Sequence, residues 1–144
     1  MTAAGYSGRS AADKLGVRRG TRLALLDAPE GWTLGGLPED VAIRRDLRGR
    51  RDVTVVFVRS RRDLERDAPR YERSLADDAS LWIAWPRAAA GHASDVSENL
   101  LREVFLPRGL VDVKVAAIDR DWSGLKFVRR KRHRAHGGGR KGDG

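Results

Sequence analysis

The sequence predicts an α/β fold: one small three-layer domain with a mostly parallel sheet and a C-terminal antiparallel hairpin. Three observations lead there. Arg22–Asp27, Asp52–Val58 and Ser80–Trp85 are short, nearly all-apolar runs, the pattern of parallel strands covered on both faces. Stretches with helical spacing separate the later runs, and such alternation implies right-handed crossovers. The last two strand-like segments are joined by a short Asp/Ser/Gly turn, the signal of a hairpin. At 144 residues the chain has room for one domain with a core of its own.

Each element follows from local chemistry. Met1 to Arg9 is small and polar and reads as an extended arm. Ser10 caps a short helix that Gly16 ends, glycine being the residue that most easily turns left-handed. Arg22–Asp27 is a buried strand followed by a Pro-Glu-Gly turn. Trp32 to Asp40 is irregular, Val41 to Arg45 is a weaker strand, and Arg48 to Arg51 is a charged turn. After the strand Asp52–Val58, Ser60 and Asp63 form a variant capping box. Leu64, Ala68, Tyr71 and Leu75 then recur on one helical face. Pro69 interrupts that helix, which predicts a kink or two short pieces.

Ser80–Trp85 is the next buried strand, stopped by Pro86. Trp82 and Trp85 stand three apart and so point to opposite faces. Arg87 to Ala93 is a small-residue loop holding His92, expected in solvent. Asp95 and Glu98 are placed to cap a helix whose apolar face is Val96, Leu100, Leu101, Val104 and Phe105. Asp112–Ile118 and Leu125–Val128 form the hairpin. The expected organisation is an arm over residues 1–9, a domain over 10–128 and a basic tail over 129–144 without structure.

The net charge is +9, from 29 basic and 20 acidic residues. Residues 129–144 hold seven of the basic residues and one Asp, a net +6, leaving +3 for the first 128. The absence of Cys excludes disulfides, thiolate zinc sites and a Cys nucleophile, and fits a reducing interior. No secretory signal is visible in the first twenty residues, and no apolar run approaches a membrane span. A cytoplasmic location without membrane association is expected.

Tyr6-Ser-Gly, Lys14-Leu-Gly, Asp27-Ala-Pro-Glu-Gly31, Val58-Arg-Ser60, Leu81-Trp-Ile-Ala-Trp-Pro86, Gly109-Leu-Val-Asp112 and Trp122-Ser-Gly-Leu125 resemble the bacterial, mainly actinobacterial, domain of unknown function 3052 family. That resemblance runs from about Tyr6 to Arg130 and implies a small cytoplasmic protein, with no activity attached. The order of elements is also similar to the C-terminal half of class I methyltransferases, a Rossmann-like fold. Here the chain departs from the pattern. Those enzymes place a Gly-rich loop after the first strand, whereas Pro29 removes a backbone donor from Asp27-Ala-Pro-Glu-Gly31. Only 25 residues separate Asp27 from Val53, too few for the two further strand–helix units and the ribose-holding acid. No cofactor is therefore expected, nor any saturable binding of S-adenosylmethionine at up to about 1 mM.

Ligands of open parallel sheets sit beyond the carboxyl ends of the strands. The residues there are Asp27, Glu30, Arg59, Ser60, Trp85 and Arg87. Ser60, at a helix start beside Arg59, Arg61 and Arg62, reads either as an anion site or as an ordinary cap. Asp27 and Glu30 read as an acid–base pair or as turn-holding residues. Trp85 is either core or pocket wall. No metal site can be assembled from one domain histidine. Arg129, Arg130, Lys131, Arg132 and Arg134 are a cationic patch without interleaved aromatics. It suits nonspecific, salt-sensitive nucleic-acid contact or simple solubilisation. The expected function is non-catalytic binding or regulation through a protein partner or a small anionic ligand. Nucleic-acid association through the tail and a degenerate methyltransferase-like enzyme are the alternatives.

Overall fold

The computed structural model describes residues 9–131. Its elements are α1 (Ala11–Leu15), β1 (Arg22–Leu26), β2 (Ala42–Arg44), β3 (Val53–Phe57), α2 (Arg61–Arg73), β4 (Ser80–Pro86), α3 (Glu98–Phe105), β5 (Leu110–Ala117) and β6 (Trp122–Arg129). Short 3-10 turns lie at Ala88–Ala90 and Leu106–Arg108. The six strands form one sheet in the order β2-β1-β3-β4-β6-β5. The first four are parallel, and β6 runs antiparallel to both β4 and β5. This is a single Rossmann-like α/β domain with a C-terminal antiparallel hairpin.

The strands alternate between two buried layers. Ala24, Leu26, Val56, Leu81 and Ile83 face α2 and α3, meeting Leu64, Ala68, Leu101 and Phe105. Leu23, Leu25, Val55, Phe57 and Trp82 face the other way, against Ala12 and Leu15 of α1 and the side chains of Trp32 and Leu34. Trp82 is fully buried and donates its indole N–H to the Leu15 carbonyl (3.1 Å). Trp85 lies in the opposite layer, as its spacing requires. The second outer layer is thin: a five-residue helix and an irregular loop stand where a βα unit would carry a full helix.

Four details differ from the sequence reading. α2 is one helix through Pro69 rather than two short pieces, Ala68 and Tyr71 being buried on either side of the forgone Glu65 carbonyl bond. α3 is capped by Ser97, whose Oγ accepts from Leu100 N–H (3.1 Å), so neither Asp95 nor Glu98 caps it. The hairpin strands are longer than expected, β6 reaching Arg129. The expected boundary between domain and tail at residue 129 therefore moves outward. The arm up to residue 8 and the tail from residue 132, with Arg132 and Arg134, lie outside the described residues. Among the described residues, no helix is long and apolar enough to cross a membrane.

Candidate functional site

β1 has β2 on one side and β3 on the other. The chain leaves β1 in one direction and β3 in the other, so a crevice opens between their carboxyl ends, the place where such sheets bind ligands. A cleft of about 410 Å³ lies there, walled by the Asp27–Glu30 loop, the end of β3 and the first turns of α2.

Asp27 turns the chain out of β1 with φ +61°, a left-handed conformation that few residues other than glycine adopt. Its carbonyl accepts from the Arg59 guanidinium (3.1 Å), which ties the two strand ends together. α2 supplies Asp63, Arg66, Asp67 and Tyr71. Arg66 is held by Asp67 (2.9 Å) and Asp63 (3.2 Å), and its guanidinium keeps the Asp67 carboxyl below the usual range. Burial pushes the Tyr71 phenol up to about 12, helped by the charges of Asp67 and Asp27. The carboxylates of Asp27 and Glu30 accept no hydrogen bond from any described residue. Four carboxylates (Asp27, Glu30, Asp63, Asp67) face two guanidiniums (Arg59, Arg66), so the cleft is net −2 in a chain of net +9.

The six residues expected at the strand ends divide among three places. Asp27, Glu30 and Arg59 share this cleft. Ser60 is the N-cap of α2, its Oγ accepting from Asp63 N–H (3.1 Å). The next free donor, Arg61 N–H, goes to the Asp95 carboxylate (2.8 Å). That helix terminus thus holds an anion belonging to the chain itself. Trp85 and Arg87 border a separate groove beside the 3-10 turn and β5. Arg87 fastens the hairpin tip, its backbone N–H donating to the Asp121 carbonyl (2.8 Å) and its guanidinium to the Arg120 carbonyl (3.1 Å).

Two basic residues change role. Arg129 is only 18% exposed in its side chain. It donates to the Leu75 carbonyl (2.9 Å), to the Glu72 carboxylate (2.9 Å) and to the Glu72 carbonyl. Arg130 bonds Gly109 and Leu106. Arg129, expected among the nucleic-acid contacts, is a clamp between β6 and the end of α2, and Arg130, expected there too, is bound to the loop before β5. Lys131 is exposed.

The sequence reading missed the α2 wall, since an amphipathic helix does not announce what its polar side faces. It also missed a pair at the sheet's carboxyl edge. His92 Nε2 lies 2.9 Å from Asp121 Oδ1, the ring exposed as expected but paired.

No protein-family model matches the chain, so the resemblance to the domain of unknown function 3052 family gains no support. No curated protein matches it either. Solved structures do. A protein of the NADB-Rossmann superfamily from Streptococcus agalactiae is 11% identical, with TM-score 0.54 over 90% of this chain and 72% of that one. Ribosomal protein L11 methylase from Lactobacillus delbrueckii subsp. bulgaricus is 13% identical, with TM-score 0.51 over 83% and 75%. Aeropyrum pernix fibrillarin, solved with natively bound S-adenosyl-L-methionine, is 15% identical, with TM-score 0.50 over 82% and 73%. At these identities the likeness is one of fold. The expectation of a non-catalytic binding or regulatory protein is corrected to this extent: one neighbour is a methylase and another was solved with S-adenosyl-L-methionine, so the fold favours the methyltransferase-like alternative. The architecture is Rossmann-like, of the class I methyltransferase kind.

Proposed function

We propose that the chain is a degenerate methyltransferase-like enzyme whose cleft between the carboxyl ends of β1 and β3 holds an S-adenosyl compound. The observation that carries this reading is the charge of the cleft. S-adenosylmethionine offers a sulfonium, an ammonium and one carboxylate. Four carboxylates and two guanidiniums complement that set, whereas a phosphate would meet net repulsion. The sulfonium supplies a transferable methyl group; the chain's own residues bind and orient. Asp27 and Glu30, free of protein partners among the described residues, receive the positive end, and Arg59 receives the carboxylate.

The adenosine end is less well served. Pro29 lacks an N–H, and a Cβ added at Gly31 would meet nothing within 4 Å, so this turn is not built for close backbone approach. Asp46, just past β2, is taken by Arg44 (2.8 Å) and Arg48 N–H (3.0 Å) and does not line the cleft. Weak binding follows, with a Kd of about 0.1–1 mM, or roughly 4–5.5 kcal/mol. This is firmer than the sequence alone predicts, because the α2 carboxylates are invisible there as cleft walls.

Calorimetry with S-adenosylmethionine to several millimolar tests the reading. Asp27→Gly is the informative variant: glycine accepts φ +61°, so the turn is kept while the carboxylate goes. Affinity should fall about tenfold. No saturable binding by the folded wild-type chain, or no change in Asp27→Gly, refutes the assignment.

A further inference from the structure

We propose that a second cavity, next to the cleft and sharing Pro29 and Arg59 with it, binds a planar aromatic ring carrying a hydrogen-bond donor, with His92 as the acceptor. The cavity is a slot of about 350 Å³ bounded by Pro29, Arg59, Pro86, His92, Asp121 and Trp122, within the size range of small-molecule sites. Its walls come from the carboxyl ends of β1, β3 and β4, with the loops that follow them, and from the hairpin turn.

The walls suit a flat ring. Trp122 is fixed edge-on against Phe57, centroids 5.0 Å apart. The Arg59 guanidinium lies 5.3 Å over the Trp122 ring. Indole, stacked guanidinium and two proline rings offer flat, weakly hydrated surfaces on which an aromatic ring packs well.

The polar end is specific in its demand. The Asp121 carboxylate only accepts, so the imidazole nitrogen facing it, Nε2, carries the proton. In the neutral ring the other nitrogen, Nδ1, is then the acceptor, and it has no hydrogen-bond partner among the described residues. A phenol-type O–H or a heteroaromatic N–H satisfies it; a bare hydrocarbon ring leaves it unpaired. The turn that holds Asp121 is itself fixed. Asp119 Oδ1 accepts from the N–H groups of Asp121 (2.8 Å) and Trp122 (2.9 Å), and Asp119 Oδ2 accepts from the Trp32 indole (2.8 Å). The backbone that carries Asp121 is therefore set before any ligand arrives.

This inference stands on the slot alone and does not require the cleft to hold an S-adenosyl compound. The experiment uses the full chain with phenol and benzene as probes, followed by NMR of the His92 ring and the Trp122 indole N–H. Phenol should shift both resonances saturably and bind at least fivefold more tightly than benzene. In His92→Ala, whose side chain is exposed enough to leave folding intact, phenol should fall to the benzene level while benzene stays unchanged. Asp121→Asn, which removes the acceptor-only partner, should also weaken phenol. Wild-type protein that binds neither probe, shows no preference for phenol, or keeps its preference in His92→Ala refutes the proposal.

Discussion

Truncating Arg129 to Ala should destabilise the domain more than any substitution in the rest of the basic C-terminal segment. The side chain is 18% exposed and its partner carboxylate, on Glu72, is 20% exposed. Its loss takes the donor from that carboxylate and from the Leu75 carbonyl, while the Glu72 carbonyl keeps the Leu75 N–H (3.2 Å). Removing one member of a buried pair costs about 3–5 kcal/mol. Partial exposure of both groups screens the effect, so the lower end applies, about 3 kcal/mol. For a domain of this size each kcal/mol moves the melting temperature by roughly 3–4 °C, which gives a fall of about 10 °C. Thermal and urea unfolding followed by circular dichroism measure it, with Lys131→Ala, an exposed neighbour, as the control expected to change nothing. Arg129→Lys keeps the charge but loses the fork and should fall between the two. A loss below about 1 kcal/mol for Arg129→Ala would show that the clamp contributes no more than a surface ion pair.

Gly124→Ala places a Cβ 2.7 Å from Ile118 Cδ1 and 3.1 Å from Trp82 Cε3. Such overpacking should cost about 1–3 kcal/mol, read as a lower urea midpoint with an unchanged slope. Tyr71 has its folded pKa raised by burial to about 12 from an ordinary 10. Its contribution is thus complete below pH 10 and is lost as pH climbs through 12; Tyr71→Phe should flatten the fall in melting temperature between those values. Asp95→Ala removes the carboxylate on Arg61 N–H and should cost about 0.5–2 kcal/mol, the range of a lost cap, in heat-denaturation curves.

Much of this fold is legible in local chemistry. β1, β3 and β4 are apolar runs too short for helices, and Ser10 and Ser60 cap where their types suggest. The strand-end rule finds Asp27, Glu30 and Arg59, because it depends only on where strands stop. What stays hidden is non-local. Asp95 caps a helix 34 residues earlier, and His92 meets Asp121 across 29 residues; no spacing rule links loops that far apart. Arg129 sits in a run of six basic or histidine residues, and its burial depends on the end of α2 lying beneath β6. Propensity marks Pro69 as a break, yet the apolar face on either side of it outweighs one missing hydrogen bond.

The placement of β6 has a consequence for how the molecule is assembled during synthesis. The last strand among the described residues is interior to the sheet: β5, made earlier, does not pair with β4 and joins the sheet through β6. Until Trp122–Arg129 has emerged, β4 presents a bare edge carrying Leu81, Ile83 and Trp85, and β5 has nothing to pair with. The domain therefore closes late and as a unit. A chain stopped before residue 122 forfeits two strands rather than one, leaving an open apolar edge of the kind that recruits other chains.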